Sequence, residues 1–347
     1  MEHQSRKHLT IPVEQAVGKI LPHDVTEIRP GNFKGRAFKK GHIIRPEDID
    51  HLKRLGKEHI YVLDLGPGDI HENEAALILA QALAGQGVTP SGEPVEGKIN
   101  LIAAQDGLLK IDRDALLRFN MVGEVMCATL HSNTPAKKGE QVAGTRLIPL
   151  LTRRTLVEEA AGIARNADGL IQVLPLRQAK AGLVITGNEV YSGRIRDAFE
   201  PVLREKLTGL GSEVVKVAFA PDEVERIAGE ITGCLEAGAD LIITSGGMSV
   251  DPDDVTRQGI AAAGATDLVY GTPVLPGAMF LVAYLNEVPV LGLPACGMFH
   301  KITVFDLVLP RILAGEKIGR RQLAELGHGG LCRQCKACVY PSCGFGK

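Results

Sequence analysis

The chain contains no tryptophan, and aromatic residues make up only 4% of its 347 positions. Proteins that hold single-stranded nucleic acid stack bases on aromatic side chains, so the composition argues against that partner. A charge excess is also missing: 39 Lys and Arg face 41 Asp and Glu, a net charge of −2. Binding to duplex backbones or to anionic membranes is driven by clustered positive charge, so no nucleic acid and no membrane partner is expected. No apolar run approaches the roughly 18–20 residues that a membrane span needs. The longest, Ala278 to Leu285, has the length of a buried strand. The opening residues Met1 to Lys7 lack the apolar core of a secretory signal, and a cytoplasmic location is expected. Also absent are an HExxH pair, a Gly-x4-Gly-Lys-Ser/Thr phosphate loop and a Gly-x-Ser-x-Gly elbow.

What is present is an ordinary folded composition, 45% apolar and 23% charged, with 40 glycines and 19 prolines marking many turns. No internal repeat or heptad run appears. Strand-like pieces and a helical pattern at Pro46–Leu55 precede a strand at Ile60–Leu63 and a helix over Asn73–Leu83, stopped by Gly85 and Gly87. The Gly- and Pro-rich stretch 87–97 reads as a linker. Short runs at Lys98–Ala103, Leu108–Ile111, Gly123–Ala128 and Arg146–Leu150 then suggest a small β-rich domain. The expected division is an α+β domain at 1–90, a β-rich domain at 91–178, an α/β domain at 179–316 and a cysteine-rich tail at 317–347.

The texture changes at Lys180. Ala181–Thr186 is a compact apolar strand, and Phe199, Val202, Leu203, Leu207 and Leu210 fall on one helical face. Val214–Phe219 is a second strand. Val224, Ile227, Ala228, Ile231 and Leu235 form a second stripe, and Leu241–Thr244 is a third strand. This rhythm predicts an α/β fold over residues 180–315, a three-layer, mostly parallel sheet with helices on both faces.

Ligands of such sheets sit beyond the carboxyl ends of the strands. Two polar, glycine-containing loops occupy such ends. One is Thr186-Gly187-Asn188-Glu189, followed by Asp197; the other is Ser245-Gly246-Gly247-Met248-Ser249, followed by Asp254. Successive glycines let backbone N–H groups converge on an anion, and a helix beginning near Pro252 would add its positive end. Taken singly, the glycine pair can be a tight turn, Glu189 a surface acid and Asp197 a helix cap. Taken together, the loops point to a phosphorylated ligand.

The strings Ile-Thr-Gly-Asn-Glu-Val, Ser-Gly-Gly-Met-Ser-Val-Asp-Pro-Asp-Asp, Val-Leu-Pro-Gly and Gly-Leu-Pro resemble the molybdopterin-binding family of molybdenum cofactor biosynthesis over about residues 180–315. That family includes molybdopterin adenylyltransferases, molybdopterin molybdenumtransferases and the catalytic parts of gephyrin. The resemblance implies that Thr186, Gly187, Ser245, Gly246, Gly247, Ser249, Pro276, Gly277 and Pro294 face the ligand. It implies that Asp254, with Glu189 and Asp197, serves Mg²⁺-dependent phosphate chemistry. Two departures stand out: Ala278-Met279 follows the first Pro-Gly where the family usually has Lys-Pro, and Ala295-Cys296-Gly297 follows Pro294 where it usually has Gly-Asn-Pro. Cys296, expected near a helix N-terminus, can be a favoured thiolate or a small buried apolar residue.

A separate signal is the spacing of Cys332, Cys335, Cys338 and Cys343 within the last sixteen residues. In a reducing compartment this clustering reads as a metal site, either zinc or an iron–sulfur cluster. The functional expectation is molybdopterin binding in molybdenum or tungsten cofactor assembly, with molybdopterin or adenylyl-molybdopterin and molybdate or tungstate as partners, in a homo-oligomer. The reaction expected is Mg²⁺-dependent adenylyl or phosphoanhydride chemistry with metal insertion. The alternatives are a carrier or sensor without turnover, and a nucleotide pyrophosphatase of the type related to competence-damage proteins.

Overall fold

The computed structural model describes residues 9–19, 21–29, 33–62, 67–248, 251 and 254–347. The chain divides into two compact units, one of Met1–Ile102, Asp112–Thr129 and Gln141–Gln172, the other of Ala103–Ile111, Leu130–Glu140 and Val173–Lys347.

The second unit is built on a six-stranded sheet. The sheet strands and the longer helices around them are, in chain order, β1 (Lys180–Thr186), α1 (Phe199–Gly209), β2 (Glu213–Ala220), α2 (Val224–Glu236), β3 (Leu241–Ser245), α3 (Thr256–Ala262), β4 (Thr266–Tyr270), β5 (Leu281–Leu285), β6 (Val288–Leu293), α4 (Val304–Leu313) and α5 (Arg320–Glu325). The strand order is β2-β1-β3-β6-β5-β4. The first four run parallel, while β5 runs antiparallel to both of its neighbours.

The apolar runs become central strands because both of their faces are covered. Leu183, Ile185, Leu241, Ile243 and Leu291 pack with Phe199, Leu203 and Leu207 of α1 and with Val304, Phe305 and Val308 of α4. The alternating residues Val184, Ile242 and Val290 pack instead with Ile227 and Ile231 of α2 and Ile260 of α3. This period-two split of one buried strand between two helical layers is the expected three-layer α/β arrangement. Register places Thr186 opposite Ala220, and Ser245 opposite both Ile185 and Leu293. The carboxyl ends of four strands therefore form one edge.

In the first unit, the antiparallel pair Leu9–Pro12 and His59–Val62, the hairpin Val25–Arg29 and Phe33–Phe38, and a four-stranded sheet are all small and β-rich. The helix expected at Asn73–Leu83 spans Glu72–Leu83. Two further helices, Arg113–Met121 and Arg154–Arg165, lie where the sequence pattern predicts none. Among the described residues, no helix is long and apolar enough to cross a membrane.

Candidate functional site

At the strand-end edge of the second unit, Ser245 runs into Gly246 and Gly247, both at positive φ, +88° and +55°. A Cβ at Gly246 would lie 2.2 Å from the Thr186 carbonyl oxygen, and one at Gly247 would lie 2.3 Å from Thr256 Oγ1. Only glycine allows the loop to fold back this closely. Thr186 Oγ1 donates to the Ser245 carbonyl at 3.0 Å, which leaves the Thr256 hydroxyl to donate to Thr186 Oγ1 at 2.8 Å. These buried hydroxyls tie β1, β3 and the start of α3 together beneath the loop. Ser245 Oγ is buried and has no hydrogen-bond partner among the described residues. Beyond the glycines, Tyr270 Oη donates to the Met248 carbonyl at 2.6 Å, and the Arg257 guanidinium lies 4.3 Å from the Tyr270 ring centroid.

The loop forms one wall of a cavity of about 600 Å³ that is also lined by Met248, Asp254, Leu275 to Met279, Pro294 to Cys296, Leu331 and Gln334. Its size and its mix of apolar surface with a few polar groups suit a small-molecule ligand. Of the residues named from sequence, Gly246, Gly247, Asp254, Pro276, Gly277 and Pro294 meet at this cavity. Thr186 and Ser245 stand behind the loop and support it. Gly187 lies at the end of β1, with Glu189 on an exposed single turn next to it, and neither lines the cavity. Asp197 accepts hydrogen bonds from the N–H groups of Phe199 and Glu200 at 2.9 and 2.8 Å, which is a helix-capping geometry. Ser249 lies outside the described residues.

Two expectations are corrected, and one of the two readings of Cys296 is favoured. The helix expected to begin near Pro252 begins at Thr256 and has only seven residues, so its dipole adds little at the loop. Asp254 instead belongs to a turn in which its Oδ2 accepts from the Asp251 N–H at 3.3 Å. Of the two readings of Cys296, the small, partly buried neutral residue fits: it sits in a short 3₁₀ turn, Ala295–Met298, and burial pushes its thiol up, which disfavours the thiolate.

The second correction concerns the tail. Cys332, Cys335, Cys338 and Cys343 do not close around one centre; among the described residues, no group of three or more His, Cys, Asp or Glu is placed to hold a metal ion. The reason is that the four thiols obey different demands. Cys332 and Cys343 pack partly buried against the core, whereas Cys335 and Cys338 are exposed, and all four are spread around a cavity of about 950 Å³.

Leu275 and Met279 flank the Pro276-Gly277 turn that the sequence singled out, but local patterning gives no sign of Leu331 or Gln334 as lining residues. Leu331 and Gln334 reach the cavity through a parallel bridge between Leu275 and Leu331, a long-range pairing that periodicity does not report.

Comparison with known proteins agrees with the class of domain. Residues 182–314 match the family model of a probable molybdopterin binding domain, and residues 10–64 match a domain of unknown function (DUF8806). The second unit thus carries a domain of the molybdopterin-binding family, which is linked to molybdenum cofactor biosynthesis. A CinA-like protein of Mycobacterium avium (strain 104) is 35% identical over 96 residues, covering 28% of this chain and 22% of that protein. The chain therefore spans about a fifth of the length of the curated relatives it matches. The tungsten cofactor synthesizing protein MoaB from Pyrococcus furiosus is 19% identical, with 40% of this chain and 96% of that chain covered and a TM-score of 0.31. The molybdopterin biosynthesis moea protein from Pyrococcus horikosii is 15% identical, with 90% of this chain and 75% of that chain covered and a TM-score of 0.34.

Proposed function

We propose that the cavity at the strand-end edge binds molybdopterin and that the chain acts in assembly of a molybdenum or tungsten cofactor. The observation that carries this reading is the Gly246-Gly247 loop, whose closeness to Thr186 and Thr256 excludes any side chain, forming a wall of a ligand-sized cavity in the matched domain. Backbone N–H groups in such a loop favour a phosphate.

The reaction proposed is Mg²⁺-dependent: adenylylation of molybdopterin by a nucleoside triphosphate with release of pyrophosphate, or cleavage of adenylyl-molybdopterin to AMP as the metal enters. Mg²⁺ is commonly held by one or two carboxylates plus substrate phosphates, and Asp254, which lines the cavity beside the glycine loop, fits that part. When bound, the ion would neutralise charge developing on the phosphate oxygens. Asp254 would position it, while the loop orients the phosphate. Glu189 and Asp197 would contribute through the shape of the loop and helix start, since neither lines the cavity. Anaerobic titration following pterin fluorescence, coupled to assays of pyrophosphate and AMP release, tests this. Asp254→Asn should keep binding and lose most release of either product; full turnover in that variant would rule out the role.

A second reading, binding without turnover, is favoured by the cavity lining, which among the described residues contains no Lys or Arg to attract molybdate. It predicts the same affinity with no AMP formed or released by the unaltered protein.

A further inference from the structure

The matched family segment ends at residue 314, but the cavity wall does not: Leu331 and Gln334 of the C-terminal tail line it as well. We propose that the tail is a ring-binding subsite, with Leu331, Leu275 and Met279 covering the flat face of a fused heteroaromatic ring and the Gln334 side-chain amide bonding to its edge. This rests on the molybdopterin reading and adds which residues recognise the ring.

The tail is held firmly enough to do this. The Leu275 N–H donates to the Gly330 carbonyl and the Cys332 N–H donates to the Leu275 carbonyl, both at 2.8 Å. A third bond, from the Gly346 N–H to the Gly329 carbonyl at 3.0 Å, closes the tail on itself. Leu331 is therefore presented from a pinned backbone.

The chemistry of the lining is divided. Among the described lining residues Asp254 is the only charged one, and it shares the wall with the glycine loop, which suits the phosphate end. The tail side is apolar. Leu331 is 73% exposed, Leu275 56% and Met279 36%, so three large apolar side chains border a cavity with their surface still open to water. A flat ring laid against them would remove that surface from water, which favours binding. Gln334 is the uncharged polar side chain of this wall, and its amide both donates and accepts. That pairing matches the edge of a pterin, which carries a ring N–H donor beside a carbonyl acceptor. Gln334 also has φ +52°, which a residue other than glycine seldom adopts, and its N–H donates to Cys332 Sγ at 3.4 Å. The backbone of the ring-facing residue is thus set by its neighbour.

The test is anaerobic fluorescence titration of the full chain with molybdopterin, alongside calorimetric titration with inorganic pyrophosphate, which has no ring. The variants are Leu331→Ala and Gln334→Ala. Both positions are exposed, and thermal melts confirm folding. Each variant should weaken molybdopterin binding about tenfold, the effect of about 1.4 kcal/mol, while pyrophosphate binding stays unchanged. Gln334→Glu, which keeps the length but loses the donor, should weaken it similarly. Unaltered molybdopterin affinity in Leu331→Ala and Gln334→Ala would overturn the subsite and leave the wider reading standing. Equal losses for pyrophosphate would also overturn it, by making the effect one on the loop. No molybdopterin binding by the unaltered protein would remove both.

Discussion

Gly247 is the residue on which the loop depends most directly. Its φ of +55° can be held by other residues at a cost, but the 2.3 Å separation that an added Cβ would have from Thr256 Oγ1 cannot. Gly247→Ala must break the Thr186–Thr256 hydrogen bond or displace the loop. The expected loss is about 1–3 kcal/mol, the range for a buried polar group left unpaired, read as a lower midpoint in urea unfolding. Ligand binding should be lost at the same time; a variant with unchanged midpoint and affinity would show that the close packing is not needed. This residue is legible in the sequence only through its setting, because a glycine pair alone reads as a tight turn and it is the second polar loop at a neighbouring strand end that points to a ligand. The charge state of Cys296 is not, since it depends on how deeply the folded chain buries the thiol.

Element boundaries in the second unit are legible wherever the apolar pattern is unbroken. β1 and β3 are buried along nearly their whole length and stand out as apolar runs. The helix Arg154–Arg165 is not legible in this way, although Val157, Ala160, Ala161 and Ala164 give it a regular buried stripe. Three of those four are alanines, which pack closely but contribute little apolar contrast. Ion pairing between elements is harder still to read. Glu316, just after α4, accepts from Arg311 at 2.5 and 3.0 Å and from Lys110 at 2.9 Å. Burial alone would raise its carboxyl, but the hydrogen bonds and charges of Arg311 and Lys110 outweigh it and hold the group at about 2. A depressed carboxyl contributes stability above its ordinary value of 4.5 and loses it as pH falls toward about 2. Glu316→Gln should therefore lower the melting temperature at pH 7 and flatten the acid limb of the melting curve between those values. If the variant and the unaltered protein lose stability in parallel across that window, Glu316 is not the group responsible.

For the whole molecule, the informative contrast is between what neighbours in sequence do and what distant segments do. The spacing of the four tail cysteines is a local signal, and taken alone it suggests a single centre. The fold uses that segment differently, bridging Leu331 to Leu275 and packing Cys332 and Cys343 against the core of the second unit. The cavity is consequently assembled from the loop after β3, the turn before β5, the turn after β6 and the tail. Amide hydrogen exchange can detect such an assembly as one event. Molybdopterin should slow exchange at Leu275 and Cys332, whose N–H groups already join the tail to the turn, together with amides of the 245–248 loop. Amides of the first unit's strand Gln141–Leu147 should exchange at the same rate with and without ligand. Protection confined to the glycine loop would separate the tail from the binding site. Protection spread equally over the first unit would count against a local assembly at this edge, because the ligand would then act on the chain as a whole.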